Sequence, residues 1–564
     1  MSAPTLSGLH SEELDVHKMK SAAAEFYRMN GVPGIIERAL NELFLEQPAD
    51  VNGYLAGYFR KLSAPPRITR LRGREVFSAK GQLIVEAEVF YIVCNKEKSI
   101  SSAAVITCAP MVTLLEKNDE SQRGPDHVKT AIQWISGPLS RMLVNQNPCD
   151  QYGVDRILSN FFRSCVMGEK YMHNKLESLL PRKETVPTSP PLIPAKGKKS
   201  ADKGKTSNID AKPLSPTRPL EPVLHESMAM SSVSLAVAKS GAKIKGVPLY
   251  KYISDLKSQK ELQQFHVPVP WITLIKCGKK SAGKLCLLEE VILISKVKQP
   301  VKQSITMAFE LQKEMMRMIN ISTKTGVAQA SVLHSGGPTA SYDRPEQPLD
   351  LITDACSNLN VLLGTDVYLA LNCAAPKLVD YSKGKYEVAT GVLKSPDELV
   401  ELYQNLISKY PAVVALIDPF RREDAEQWEK LSNTTGNACS LLSDITHKPL
   451  APVLPGVRGY VLGHVNETTV SDIIHATLHY QGSVLMGAMS SETCSEVSFS
   501  DLAVGLGFDY VKFGGLSGGE TMAKYNRLIS IEEELAQQGL LVCKDSPLLS
   551  EEPKEHAPKT EKII

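Results

Sequence analysis

The sequence of 564 residues lacks the patterns that mark several large classes of protein. No stretch approaches the roughly 18 consecutive apolar residues that a membrane-spanning helix needs. The N-terminus, MSAPTLSGLHSEELDVHK, does not show the basic and then apolar pattern of a secretion signal. Basic and acidic side chains nearly balance, at 64 and 62. We therefore expect a cytoplasmic protein that binds neither membranes nor nucleic acid.

Cysteine and histidine motifs typical of zinc sites are also absent. The eleven cysteines include no Cys-x-x-Cys spacing, and the single His-x-x-x-His spacing, at His475 and His479, lacks the glutamate of a His-Glu-x-x-His motif. An odd number of unpaired cysteines favours free thiols in a reducing compartment, and the histidine pattern argues against a zinc site. By contrast, hydrophobic residues make up 43% of the chain, which is enough for a large core. The length predicts about three or four domains.

Residues 1–66 have the pattern of a small helical module. Proline suits a first helical turn, so PGIIERALNELFLEQ predicts a helix that begins at Pro33, and PADVNGYLAGYFRKL a second that begins at Pro48. Apolar side chains recur at helical spacing on both segments: Ile36, Leu40, Leu43 and Phe44 on the first, and Val51, Tyr54, Leu55, Tyr58, Phe59 and Leu62 on the second. Two short helices cannot bury both stripes alone, so another surface must cover them.

The pattern LEQPADVNGYLAGYFRKL resembles the dimerisation-docking fold of cAMP-kinase type II regulatory subunits and of Dpy-30-like proteins. In that fold two helical hairpins form a four-helix dimer, and its exposed groove binds one amphipathic helix of an anchoring protein. The resemblance therefore implies a homodimer and a site for an anchoring protein on residues 33–62. A hairpin that packs on its own chain is the alternative.

The next segments differ in composition. Residues 67–180 are predicted to form an α+β domain, because GQLIVEAEVFYIV alternates apolar residues with Glu86 and Glu88, as a half-buried antiparallel strand does. Residues 181–222 are rich in Pro, Lys and Ser and have few large apolar residues, so we expect a disordered insertion. Residues 541–564 have the pattern of a similar disordered tail.

Residues 223–540 alternate helical stretches with short apolar runs, which predicts a (β/α) barrel. The runs are VPVPWITLI, EEVILI, ASVLHS, VYLALNC, VVALIDPF, CSLLSDI, GYVLGHV, SVLMGAM and YVKFGG. Several end in polar residues: Ser335, Asn372, Asp418, Asp444, His464 and Lys512. Active sites of such barrels are built from strand ends. The run VVALIDPF is unusual because its last strand position, Ile417, can bind nothing polar.

Three longer stretches resemble the enolase family. They are VFSAKGQLIVEAEVF (76–90), SVSLAVAKSGAKIKGVPLYKYISDL (232–256) and KFGGLSGGETMAKYNRLISIEEEL (512–535). The resemblance covers about 67–178 and 224–538. It implies an α/β fold: an enolase-type (β/α) barrel preceded by an α+β N-terminal domain, plus a small all-α helical hairpin at the N-terminus. The divergent branch of the family that it resembles is associated with sperm, which implies a place in the flagellum.

The resemblance implies a phosphopyruvate hydratase, which removes water from 2-phosphoglycerate to give phosphoenolpyruvate. The family abstracts a weakly acidic proton with a lysine base and stabilises the intermediate with two magnesium ions. The family pattern places Glu289, His464 and Lys512 in the catalytic positions, with histidine where the base lysine belongs. Glu289, Lys512 and Ser490 would contact the substrate.

Other functional positions depart from the family pattern. The second catalytic acid is Ser335, and the three magnesium carboxylates fall on Asn372, Ile417 and Ser443. The two closing loops, at 107–110 and 279–281, also differ. A metal site would then need Asn372 with Asp418 or Asp444, although neighbouring strand residues point to opposite faces, so a register slip or bulge is required.

Two functions are compatible with these departures. The first is a phosphopyruvate hydratase with a rebuilt magnesium site. The second is a non-catalytic, dimeric assembly protein, which docks to anchoring proteins through its N-terminal helices. Loss of several carboxylates removes most of the charge that holds magnesium, so the sequence favours weak or absent catalysis.

Overall fold

The computed structural model describes residues 7–78, 81–103, 120–179, 225–258, 264–278, 283–296, 298–322, 331–332, 338–339, 341–446, 451–463, 468–480, 482–487 and 497–543. They form two compact units. The first contains the three N-terminal helices with Ile92–Lys98, and the second contains the rest. Among these residues no helix combines the length and the apolar character that crossing a membrane requires.

The first unit begins with helices α1 (Ser7–Met29), α2 (Val32–Glu46) and α3 (Val51–Leu62). Pro33 lies in the first turn of α2, as predicted. The predicted start of the next helix at Pro48 is wrong by three residues. Asp50 caps α3 instead, because its Oδ1 accepts a hydrogen bond from Gly53 N at 2.9 Å and satisfies a free N–H of the first turn.

The chain then forms a three-stranded sheet in the order β1–β2–β3. These strands are β1 (Arg67–Phe77), β2 (Leu83–Val93) and β3 (Lys96–Ala103). Val85, Ala87 and Val89 are fully buried on one face of β2, which confirms the alternation predicted for this strand. Helices α4 (Glu120–Trp134), α5 (Ser140–Leu143) and α6 (Gln151–Leu179) follow the sheet, with a π-helical turn (Ile135–Leu139) between α4 and α5.

The remaining strands and helices form a barrel and its outer layer. The strands are β4 (Val269–Lys276), β5 (Glu290–Ser295), β6 (Ser331–Val332), β7 (Pro338–Thr339), β8 (Val367–Asn372), β9 (Val379–Asp380), β10 (Lys385–Ala389), β11 (Val392–Lys394), β12 (Val413–Ile417), β13 (Ser440–Asp444), β14 (Val457–Leu462), β15 (Ser483–Gly487) and β16 (Tyr510–Gly514). The helices are α7 (Met228–Lys245), α8 (Leu249–Ser258), α9 (Val301–Ser322), α10 (Glu346–Asn358), α11 (Pro396–Lys409), α12 (Ala425–Thr435), α13 (Val470–His479), α14 (Ser498–Gly505) and α15 (Gly519–Gln537).

Eight of these strands form the closed barrel, in the order β4–β5–β8–β12–β13–β14–β15–β16, and β16 pairs with β4 to close it. The predicted barrel is therefore confirmed, but a regular β/α alternation is wrong at one strand. β5 runs antiparallel to both β4 and β8, while the other neighbours are parallel. As a result β5 starts, rather than ends, at the edge where the parallel strands end.

An inner core fills the barrel. Its members are buried side chains that face inward from the strands: Trp271, Ile292, Ile294, Ala370, Val414, Ala415, Ile417, Leu442, Val461, Leu485 and Tyr510. A separate and larger core lies between the strands and the helices. Since alternate residues of a strand face the same side, the inner core identifies which strand ends point into the barrel.

Candidate active site at the barrel mouth

The barrel mouth is the edge where the parallel strands end. Glu290, Asn372, Asp444 and Lys512 each stand two residues from an inner-core side chain of their own strand, so they face the interior there. Ile417 is itself an inner-core residue at the end of β12. Asn372, Asp444 and Lys512, which were named from the sequence, therefore lie together at the mouth. Glu290 lies there with them.

Glu290 is the centre of a polar cluster, which we call the Glu290 cluster and define as Lys276, Glu290, Asn372 and Lys512. Lys512 Nζ donates a hydrogen bond to Glu290 Oε2 at 2.6 Å, and Asn372 Nδ2 donates to the same oxygen at 3.0 Å. Lys276 Nζ lies 3.5 Å from Glu290 Oε1. One carboxylate therefore contacts two ammonium groups and one amide.

The charges of the Glu290 cluster are strongly coupled because it is buried. Burial alone would raise the pKa of Glu290, but Lys512 and Lys276 together hold that pKa far below its usual range. Burial lowers the pKa of Lys276, and the nearby Lys512 lowers it further. For Lys512, burial opposes the charge, yet the contact with Glu290 leaves its pKa raised. Glu290 and Lys512 are accordingly a charged pair at neutral pH.

Glu289, the predicted catalytic acid, lies apart from this cluster. Its side chain is 29% exposed, and its two carboxylate oxygens accept hydrogen bonds from Lys377 Nζ at 2.7 and 2.8 Å. The catalytic role of Glu289 stays a prediction. Glu290 was not among the site residues predicted from the sequence. The period of two in EEVILI was the available signal, since it places Glu290 on the same face as Ile292 and Ile294.

The two aspartates meet at the neighbouring strand ends. Asp418 follows β12 in a left-handed backbone conformation, with φ of 46°, and its Oδ1 accepts a hydrogen bond from Asp444 N at 2.9 Å. Burial and the nearby carboxylate of Asp444 raise the pKa of Asp418 well above its usual range. Because Asp418 lies beyond the end of the strand, the strand alternation used in the sequence argument does not apply to it.

Asp444 and Ser443 exchange the roles expected from the sequence. The expectation was that Ser443 takes the position of the magnesium carboxylate and that Asp444 faces away. Instead Asp444 faces the interior, and Ser443 Oγ accepts a hydrogen bond from Arg422 Nη1 at 2.8 Å on the opposite face. The pairing of β13 with β14 shifts register between Leu441 and Leu442, so an irregularity of the predicted kind is present at this strand.

The side chains at the mouth fit a magnesium ion poorly. Among the described residues, no three His, Cys, Asp or Glu side chains form a group that could hold a metal. Ile417 offers no ligand, and both oxygens of Glu290 contact nitrogen atoms. Magnesium prefers near-octahedral oxygen ligands, so the assignment of magnesium to Asn372, Asp418 and Asp444 stays a prediction.

Several predicted residues lie outside the described part of the chain. They are the proposed base His464, the substrate-binding Ser490, the substituted acid Ser335 and the loops at 107–110 and 279–281. The insertion at 181–222 and nearly all of the tail are also outside it. The geometry of the site is therefore that of Glu289, the Glu290 cluster, Ile417, Asp418 and Asp444.

Comparison with known proteins agrees with the barrel. The family model described as "Enolase, C-terminal TIM barrel domain" matches residues 264–547. The chain is 41% identical over 558 residues to Enolase 4 of Danio rerio, which covers 95% of this chain and 94% of that protein. The chain belongs to the enolase family. Enolase 4 of Homo sapiens is 38% identical over 573 residues, covering 94% of this chain and 90% of the human protein.

These relatives place the chain in the enolase 4 branch. Enolase 4 of Xenopus laevis is similar as well, at 41% identity over 542 residues and 93% of each chain. The family and the fold predicted from the sequence are thus confirmed. The likeness extends well beyond the barrel, because it covers more than nine tenths of the chain.

Proposed function

We propose that this enolase-family protein has weak or no phosphopyruvate hydratase activity and that it serves mainly as a scaffold. The observation that carries the proposal is the contact of Lys512 with Glu290 at 2.6 Å. Lys512 is the position at which the family pattern predicts a substrate contact. A lysine whose ammonium already pairs with a buried carboxylate has little charge left to offer an anionic substrate.

The chemistry of the reaction strengthens this argument. Proton abstraction beside a carboxylate builds negative charge, which must be stabilised by cations or donors aimed at it. At the mouth, Ile417 contributes no charge, and Glu290 offsets one of the two ammonium charges of Lys276 and Lys512. The developing negative charge therefore meets less positive charge than the two lysines alone would supply, and this difference matters in a medium of low dielectric constant.

The proposal is tested by a direct assay of the full-length protein. Phosphoenolpyruvate formation from 2-phosphoglycerate is followed while magnesium is titrated, for the wild type, Lys512→Ala and Lys377→Ala. We expect turnover near background in all three. Magnesium-dependent turnover that Lys512→Ala abolishes and Lys377→Ala leaves intact would contradict the proposal.

The second candidate function is an active hydratase with a rebuilt site. It is favoured by the inward orientation of Asp444 and by the position of Glu289 at the mouth. His464 would then act as the base, because a neutral imidazole can accept a proton near pH 7. This candidate requires that Glu289→Gln and Asp444→Asn each remove any turnover, while a substitution of the remote surface residue Leu478 has no effect.

The scaffold role rests on the N-terminal helices. Ile36, Leu40 and Phe44 recur every four residues on α2 and are 43%, 53% and 73% exposed, while Phe59 and Leu62 are exposed on α3. A stripe of this kind on a short hairpin requires a covering partner. We infer that a second copy of the chain covers it and that the resulting groove binds an amphipathic helix of an anchoring protein in the sperm flagellum.

This role is tested with the full-length protein. The molar mass in solution and the affinity for an amphipathic helical peptide are measured for the wild type and Leu40→Glu. Leu478→Glu is the matched control, since Leu478 is 62% exposed on a barrel helix. We expect Leu40→Glu to abolish peptide binding and to weaken the dimer, and Leu478→Glu to do neither. Peptide binding that survives Leu40→Glu would refute the docking site.

A further inference from the structure

The Glu290 cluster has the composition of an anion-binding site. Lys512, Lys276 and Asn372 come from three different strands, and each directs a nitrogen atom at the same carboxylate. Ammonium and amide groups that converge in this way are typical of sites that bind a small carboxylate or phosphate. All of these donors lie at the barrel mouth, where Lys512 and Lys276 keep 8% and 10% of their side-chain surface exposed.

The anion in this site belongs to the protein itself. Glu290 is 1% exposed, and its position follows from the reversed direction of β5, whose first residue lies at the mouth beside the last residue of β8. The register pairs Glu290 directly with Asn372. A glutamate at the first position of this strand is thereby placed between the two lysines.

We propose that Glu290 is an internal ligand, whose carboxylate fills the anion site formed by Lys276, Asn372 and Lys512 and so excludes external carboxylates from the barrel mouth. The proposal deepens the proposed loss of hydratase activity, and it rests on that function only in treating the mouth as the former substrate site. Competition by the Glu290 carboxylate then contributes to the loss of hydratase activity, in addition to the missing metal ligands.

The charges explain why the site cannot remain empty. Without Glu290, Lys276 and Lys512 would lose the buried carboxylate that lies between them, and burying a charge without its counter-ion is costly. Burial and Lys512 already lower the pKa of Lys276 in the intact protein. Glu289 is a poor replacement, because both of its carboxylate oxygens accept hydrogen bonds from Lys377 at the rim. Removal of the Glu290 side chain should therefore create a demand for an external anion.

Chemical rescue tests the proposal in the full-length protein. Glu290→Ala removes a group equivalent in size to acetate, whereas Glu290→Gln removes the charge and keeps the volume. Thermal unfolding is measured in increasing acetate, at constant ionic strength with chloride. We expect a saturable rise of the midpoint for Glu290→Ala alone. The wild type, Glu290→Gln and the matched control Glu289→Ala should show none. The expected gain in acetate affinity is at least about tenfold, as for one charge-assisted hydrogen bond.

Other outcomes would overturn the proposal. If Glu290→Ala gains stability with rising pH but not with acetate, the lysines discharge instead of binding an anion. A second measurement does not depend on the folding of any Glu290 variant. It is calorimetric titration of the wild type with phosphoenolpyruvate, in which saturable binding that Lys512→Ala removes would refute the internal ligand. If the wild type shows no turnover and acetate does not rescue Glu290→Ala, the internal ligand fails while the proposed function stands. Turnover by the wild type would overturn both.

Discussion

Replacing Lys512 by methionine is the most direct probe of the barrel mouth. Methionine is similar in length and apolar, so the substitution removes the charge and keeps most of the volume. The side chains of Lys512 and Glu290 are 8% and 1% exposed, and their polar atoms are 2.6 Å apart. Removing one partner of a buried ion pair costs about 3–5 kcal/mol. Since Lys276 still lies 3.5 Å from Glu290, we expect the lower end, about 3 kcal/mol.

The matched control is Lys377→Met at the rim of the same mouth. Lys377 and Glu289 form a contact of similar length, 2.7 Å, but their side chains are 47% and 29% exposed. Exposed pairs contribute about 0–1 kcal/mol because water screens them. Urea unfolding measures the loss of unfolding free energy for each of the two variants. The transition is monitored by a spectroscopic signal from the barrel, and the dependence of the free energy on urea concentration is compared between variants. If Lys512→Met costs no more than Lys377→Met, the Glu290 cluster does not behave as a buried ion pair.

Three further predictions concern other buried polar groups. Because the pKa of Asp418 is raised, its contribution to stability is present below the ordinary pKa and is lost as the pH rises through the folded-state value. Asp418→Asn should therefore be more stable than the wild type at about pH 8, and the difference should fade towards about pH 4; equal thermal midpoints at every pH would refute this. Tyr386→Phe should lose about 1–3 kcal/mol in urea unfolding, because the buried hydroxyl donates to Asp424; an unchanged midpoint would be inconsistent with that bond. Asp155→Ala should cost about 3 kcal/mol, because Ser471 N and Oγ lose an acceptor at 3.0 and 2.6 Å; calorimetry that detects no loss would exclude this contact as a stabilising one.

Much of the fold is local in origin and could be predicted. The alternation in β2 and the strand runs of the barrel are set by periodicity, which depends only on neighbouring residues. The start of α3 was predicted wrongly because the prediction relied on Pro48. The carboxylate of Asp50 accepts a hydrogen bond from a backbone N–H of the first turn, and this cap sets where the helix begins. The direction of β5 was missed for another reason. A short apolar run has the same pattern in either direction, so only its pairing with β4 and β8 decides it.

The site was predictable only in part. The family resemblance selected Asn372 and Lys512, and it named Asp444 only as the neighbour of the family position at Ser443; the structure brings all three to the mouth. The resemblance could not show that Glu290, rather than Glu289, lies between the lysines, since that depends on where β5 begins and which way it runs. Nor could it place Asp418, whose left-handed backbone ends the strand alternation.

The sequence by itself determined the family, the barrel and the apolar end of β12 at Ile417, because each depends on residue identity or on local spacing. The tertiary structure decided which charges meet. Lys276, Glu290 and Lys512 are separated by up to 236 positions along the chain, yet their side chains share one buried cluster. Electrostatic energy depends on distance and burial rather than on separation in sequence, and only the closed barrel sets both.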